Sequence, residues 1–451
     1  MKLTFHGGAK SVTGSNYLLE INRPTKVKIL IDCGLSQGSR YAERQNFEPF
    51  PYSPAEISAV FITHAHIDHI GRLPKLYRDG FRGKVFSTPA TRGFAELLLL
   101  DSEHILSEEA EKEGKPPIYS TEDISELMKL WEGVDYHKPL DWHGARIEFF
   151  DAGHILGSSF IKIDAEDKSI VFSGDLGNYP APVIKSTEKL PEVDYCLVES
   201  VYGDRVHGNS DESEGVLEDT IEDTVKSGGV LMIPAFAMER TQKLLYELNA
   251  LVENGRIPKI PIFIDSPLAI KLTTVYKEYE RYFNKEASKL VTSGDDIMDF
   301  PGLNATLTTE ESKGINDVPP PKVIIAGAGM SQGGRIIHHE KRYLPDPSST
   351  ILFVGYQTAG SMGRQILEGA ETVKIFGEEI PVRCRVVSVS GYSAHADQKK
   401  LIDWIRPARL TLKKVFVVQG EEKSSEVLAS KIEDELAVNV EVPEPGSQIE
   451  L

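Results

Sequence analysis

The chain has 451 residues, 68 acidic against 50 basic, for a net charge of −18. At roughly 150 residues per domain the length allows two or three domains, each able to bury a core without staples. Apolar residues at 40% and charged residues at 26% exclude disorder, collagen and coiled coil as the main state. The acidic balance argues against a generic polyanion-coating protein but leaves room for a nucleic-acid enzyme whose positive charge lies in one cleft. Cys33, Cys196 and Cys384 lie far apart, so neither a disulfide framework nor a CxxC zinc site is expected. The opening stretch MKLTFHGGAKSVTGS lacks an apolar core, and no apolar run reaches about 18 residues. The expectation is a cytoplasmic protein with no membrane span.

Taken in order, KVKILIDCG, SAVFITHAH, IEFFDAGH, KSIVFSGD and DYCLVES are apolar runs ending in polar residues or glycine. Such runs predict strands buried on both faces. Asp32, His64, His66, His154, Asp175 and Glu199 all fall at the ends of these runs, where α/β folds build their sites. Between them, TPATRGFAELLLLDSEHIL predicts a helix. The charged SEEAEKEGKPPIYSTEDIS that follows reads as a solvated face or loop.

From residue 204 the pattern changes. GNSDESEGVLEDTIEDTVKSGG predicts an acidic helix with Leu217, Ile221 and Val225 on one face, closed by Gly228 and Gly229. VLMIPAFA, KIPIFIDS, KVIIAGAG and STILFVGY then alternate with helical stretches, which predicts a parallel sheet with crossover helices. The tail from RVVSVSGYSAHAD onward returns to the earlier style. The reading is therefore a first domain over 1–203, an inserted α/β domain over 204–383, and completion of the first by 384–451.

The sharpest chemical signal is THAHIDHIG, which packs His64, His66, Asp68 and His69 into six residues. A strand is expected to end at His64 and a helix to begin near His69. Residues two apart on an extended end point the same way, so His64 and His66 can grip one metal, and the turn brings Asp68 and His69 to a second beside it. Imidazole with carboxylate suits Zn²⁺, and two ions about 4 Å apart would deprotonate a shared water at neutral pH. Completing two sites needs donors from other strand ends. His154 fits the first site and Asp175 a bridging position; alone, each also reads as a half-buried histidine and a turn aspartate.

IDCG, HAHIDHIGRLP, GHILGSS and SGDLG, in this order, resemble the metallo-β-lactamase superfamily. ESVYG, PAFAMERTQKLLYEL, IDSPLA, GMSQGGR, GYQTAGSMGR and YSAHAD resemble its β-CASP branch of RNA-processing nucleases, across nearly the whole chain. The resemblance implies an αββα metallo-β-lactamase sandwich carrying an inserted parallel-sheet α/β β-CASP domain, with the active site in the cleft between them. It implies a zinc-dependent ribonuclease in which a metal-bound hydroxide attacks the phosphodiester of RNA, single-stranded by expectation. Asp68, Glu199 and His395 would then serve catalysis, with His395 as general acid held protonated by Glu199. Asp32 would orient a ligand histidine.

The resemblance breaks at one place. Where the family has a histidine ligand for the second metal, KKVFVVQGEE has Gln419. An amide oxygen is a weaker ligand than imidazole, so the second site is expected to be weak and tolerant of Mn²⁺. On the inserted domain, Ser331, Gly333, Gly334 and Arg335 of GAGMSQGGR, with Arg240 and Arg364, are the candidate RNA and phosphate contacts. His338 and His339 read as surface or capping residues. The competing readings are an RNA-binding or partner-dependent paralogue weakened by Gln419, a DNA nuclease, and a small-molecule ester or thioester hydrolase. No appended RNA-binding module is recognisable, and a homodimer is one assembly open to the chain.

Overall fold

The computed structural model describes residues 1–38, 44–207, 212–358, 360–389 and 393–451, with backbone only for 212–214. Two compact units emerge: Met1–Val206 with Ala394–Leu451, and His207–Ser393.

The first unit is built on two seven-stranded sheets. One runs, in spatial order, Gln448–Glu450, Lys2–Gly7, Asn16–Ile21, Val27–Ile31, Ile57–Phe61, Lys84–Ser87 and Trp131–Gly133. The other runs Val440–Glu441, Lys414–Val418, Tyr195–Glu199, Lys168–Phe172, Ser159–Ala165, Ala145–Asp151 and Leu140–Trp142. Strand alternation explains how both faces of the second sheet are buried. Ile170, Phe172, Leu197, Phe416 and Val418 meet Phe5, Ile29 and Phe61 of the first sheet in the inter-sheet core. Their neighbours Val171, Cys196, Val198, Val415 and Val417 face the other way. There they pack on Leu401, Ile402 and Ile405 of the helix Gln398–Ile405 and on Leu428 and Ile432 of the helix Glu422–Leu436. On the far side, the helix Pro89–Lys112 packs against Trp131–Gly133. Its start is set by Thr88, whose side chain accepts the Thr91 N–H at 3.2 Å, and by Pro89 in the first turn. This is the helix–sheet–sheet–helix sandwich expected from the sequence. The charged segment read as a face or loop is partly helical: the helix Pro89–Lys112 runs through its first six residues, and Thr121–Lys129 starts with a capping box of Ser120 and Asp123.

The second unit holds a six-stranded parallel sheet, in the order Leu303–Ala305, Ile262–Asp265, Lys322–Ala326, Val230–Pro234, Thr350–Phe353 and Arg385–Ser388. Its helices include Glu212–Ser227, which ends before Gly228 at φ +70° and buries Leu217 and Ile221. The start of that helical reading, residues 208–211, lies outside the described residues, as does Tyr392 of YSAHAD.

The return to the first unit comes at Ala394 rather than at residue 384. Arg385–Ser388 pairs in register with Thr350–Phe353 and forms the edge of the second unit's sheet. A four-residue strand at a sheet edge is only half covered, so its sequence carries no sign of which sheet it joins. The strand before the histidine motif stops at Phe61, and the short helix starts at Ile67, earlier than His69. The Asp32 carboxylate accepts the Thr63 N–H at 2.8 Å, which draws the chain out of the ladder before His64.

Candidate metal centre

Asp32, His154, Asp175, Glu199 and Gln419 each stand at or just beyond the end of a strand of the sandwich, and His64 and His66 follow Ile57–Phe61. Tertiary pairing brings these ends together. His64 Nε2 lies 3.1 Å from His66 Nδ1, and His154 Nε2 lies 3.2 Å from the same atom. Asp175 Oδ2 is 3.4 Å from His64 Nε2 and 3.6 Å from His154 Nε2. All four donor atoms fall within 4.8 Å of one another. A tetrahedral zinc with bonds near 2.0–2.1 Å has ligand atoms about 3.3–3.4 Å apart. These four separations bracket that value, so the donors fit one zinc-sized ion.

The imidazoles are prepared for that role. Burial lowers His64, and drives His66 and His154 well below the usual histidine value, so each presents a neutral ring with a free lone pair. His154 Nδ1–H donates to the Ala394 carbonyl at 3.2 Å, which leaves Nε2 bare toward the cluster. The loop carrying Asp68 is clamped at its backbone. Ser15 N–H donates to the Asp68 carbonyl at 2.9 Å and Gly34 N–H to the Ser15 carbonyl at 2.9 Å. A Cβ at Gly34 would lie 1.5 Å from that Asp68 carbonyl oxygen, which accounts for the glycine of IDCG.

Asp175 faces two ways. Its Oδ1 lies 3.3 Å from His69 Nε2, on the side where Asp68 Oδ2 stands 3.9 Å from the same nitrogen. Gln419 Nε2 donates to Asp175 Oδ1 at 2.8 Å and lies 3.0 Å from His69 Nε2. Asp32, in the left-handed region at φ +59°, accepts from Thr63 Oγ1 at 2.9 Å and from His69 Nδ1 at 2.7 Å. It therefore sets the ring of His69 and the path of the histidine loop together. Thr63 and Ser15 were not singled out from sequence. The only signal for Thr63 was its place directly before His64.

Glu199 is fully buried and accepts the Leu176 N–H at 2.6 Å. His395 Nδ1 stands 3.2 Å from Glu199 Oε2 and 3.8 Å from Asp175 Oδ2. Burial works against a charge on His395, but the Glu199 and Asp175 carboxylates outweigh it and raise the ring to about 9. A backbone bridge between His395 and Gly177 fixes its place beside the cluster.

The second unit treats its predicted contacts differently. The Arg335 fork is spent on Asp265 at 2.7 Å and on the carbonyls of Thr306 at 3.0 Å and Leu307 at 2.9 Å. Ser331 is buried and donates to Glu340. Both side chains have partners inside the second unit. The residue the sequence reading passed over is Asp265 of IDSPLA, fully buried and held by Thr306, Ser312, Arg335 and His339. His339 is thus a buried partner of Asp265 at 2.7 Å, not a surface residue, while exposed His338 stacks on Phe376 with ring centres 4.9 Å apart. Arg240 is nearly buried, near Glu239 at 3.6 Å and packed on Gly355. Arg364 is open to solvent and pairs with Glu368 at 2.7 Å. Gly333 and Gly334 sit at positive φ, before the helix Ile336–Tyr343.

Arg335→Ala strips one charged donor from a buried carboxylate, which costs about 2 kcal/mol. The expected result is a lower thermal midpoint for the second unit, with RNA affinity unchanged in the folded protein. A normal midpoint with weakened RNA binding would restore Arg335 as a phosphate contact.

Comparisons with known proteins agree with this architecture. Residues 18–182 match the metallo-beta-lactamase superfamily domain, 241–366 the Beta-Casp domain, and 379–443 the Zn-dependent metallo-hydrolase RNA specificity domain. The chain is 38% identical to "Ribonuclease TTHA0252" of Thermus thermophilus over 94% of each chain. It is 30% identical to "Transcription termination factor FttA" of Methanosarcina mazei, over 97% of this chain and 70% of that one. A crystal structure of a protein of unknown function from Enterococcus faecalis V583 superposes with a TM-score of 0.56 at 14% identity, covering 99% of both chains. That last likeness shows the fold. With a relative 38% identical over 94% of both chains, the three domain matches and the histidine–aspartate cluster, the chain belongs to the β-CASP branch of the metallo-β-lactamase superfamily.

Proposed function

We propose that this chain hydrolyses phosphodiester bonds of single-stranded RNA, using a zinc ion held by His64, His66, His154 and Asp175. The observation that carries the reading is the clustering of those four donors, four of their separations at 3.1–3.6 Å and all within 4.8 Å. An ion bound there supplies Lewis acidity and lowers the pKa of water, the chemistry phosphodiester hydrolysis needs. The chain's own residues do the rest. Glu199 orients His395 and favours its charged form, and His395 gives its proton to the leaving oxygen. Asp32 holds His69, and the Ala394 carbonyl holds His154, so the donors keep their directions without rearranging. Gly333, Gly334 and Arg364 remain the sequence-derived candidates for contacts to the RNA backbone, and solvent-facing Arg364 is the one with a side chain to offer.

Support comes also from the relatives, one named a ribonuclease and the other a transcription termination factor. No helix among the described residues is long and apolar enough to cross a membrane, in keeping with work in the cytoplasm. A second reading, an RNA-binding subunit without turnover, draws on the glutamine in place of a histidine ligand at position 419.

The test is cleavage of 5′- and 3′-labelled single-stranded RNA before chelation, after chelation, and after zinc or manganese is added back. We expect chelation to lower the rate at least about a hundredfold, and metal to restore it. RNA bound but uncut under every metal condition would select the second reading.

A further inference from the structure

Asp175 divides the centre into two halves with different chemistry. On the Oδ2 half, three imidazole nitrogens and a carboxylate oxygen face one another with no side-chain donor between them among the described residues. On the Oδ1 half a donor stands among the acceptors: Gln419 Nε2 lies 2.8 Å from Asp175 Oδ1 and 3.0 Å from His69 Nε2. Resting on the reading above, we propose that the amide of Gln419 replaces the second metal ion, so that this β-CASP enzyme works with one ion per chain.

The donor and acceptor inventory supports this. A carboxylate oxygen accepts only, so the group 2.8 Å from Asp175 Oδ1 must be the amide NH₂. Its other N–H faces His69 Nε2, which accepts it in the tautomer whose Nδ1–H is given to Asp32 at 2.7 Å. Two donors meet two acceptors, each at hydrogen-bond distance.

The amide is also held in place. Gln419 is buried at 1% exposure, in the left-handed region at φ +49°, and its backbone N–H donates to the Gly8 carbonyl at 2.6 Å. A Cβ at Gly8 would lie 2.4 Å from Tyr17 Oη and 3.3 Å from Gln419 Cγ, so only glycine lets these groups close up. Turning the amide over would set its oxygen against a carboxylate oxygen in a dry site, a costly contact. Among the described residues two clusters could hold an ion: His64, His66, His154 with Asp175, and Asp175, Glu199 with His395. The second is the proton-transfer pair with its neighbour. Neither includes Asp68 or His69.

Metal-free protein is equilibrated with excess zinc or manganese, desalted, and its metal counted per chain by elemental analysis. The manganese form is also read by electron paramagnetic resonance. Wild type should hold one ion and give the spectrum of isolated Mn²⁺. Gln419→His should hold two, with the spectrum of an exchange-coupled pair. Gln419→Glu, which adds a carboxylate ligand and sets it against Asp175 unless an ion intervenes, is the second variant should the histidine not fold. Two ions in wild type overturn the proposal, as does one ion in both folded variants. The proposed function fails separately: it falls if RNA is uncut by protein that holds its single ion, and the count is untouched by that result.

Discussion

His66→Ala is expected to lower RNA cleavage at least about a thousandfold while the protein stays folded. His66 Nδ1 is the atom nearest both His64 and His154, at 3.1 and 3.2 Å, so its loss opens one corner of the donor set. Each 1.36 kcal/mol of lost transition-state stabilisation is tenfold in rate, and a bound ion contributes several kcal/mol. The fold should tolerate the change. His66 is only half buried, and although it precedes the helix Ile67–Ile70 its side chain makes no capping hydrogen bond. The measurements are cleavage rate, metal content and thermal midpoint on one preparation. Unchanged cleavage would refute a reaction that depends on this ion.

His395→Ala is expected to cost about 10²- to 10⁴-fold in kcat/KM, the span usual for a general acid. The sign of its pH dependence follows from the pair. The acid form of His395 is the working form, so activity is present below its pKa and lost as pH rises through it. Despite burial, the Glu199 and Asp175 carboxylates hold that pKa up, to about 9 with no ion bound. An ion on Asp175 withdraws part of that pull, which places the alkaline limb between the ordinary histidine value and about 9. Glu199→Gln removes the nearer carboxylate, 3.2 Å away, and should move the limb to lower pH by about 1–3 units. A substrate with a good leaving group, such as bis(p-nitrophenyl) phosphate, needs no proton and should be cleaved by His395→Ala at close to the wild-type rate. Equal losses on both substrates would make His395 a positioning residue instead.

Much of the candidate centre was legible because its histidines crowd one short segment. Three histidines and an aspartate in THAHIDHIG have few uses other than metal binding, and the strand-end positions of His154, Asp175 and Glu199 show through the apolar runs before them. The parallel sheet of the second unit was equally open, since its strands are continuous apolar runs with helices between. Ser331 and Arg335 have internal partners that the sequence hides. A glycine-rich loop ending in arginine looks the same whether its donors face a phosphate or an internal carboxylate. The partner that decides, Asp265, is 70 residues from Arg335. The edge strand Arg385–Ser388 escaped for a similar reason, because four half-covered residues do not name their neighbour.

The sequence by itself determined the family and the candidate donors, because apolar periodicity and ligand type are local properties of the chain. It also showed that position 419 carries an amide where a second-metal ligand was expected. Only the tertiary structure decided which way that amide acts. It sets Gln419 against His69, 350 residues distant, and against Asp175, 244 residues distant. Hydrogen-bond polarity at such a meeting depends on distance, burial and the proton on a neighbouring ring, and none of these is written in the order of residues along the chain.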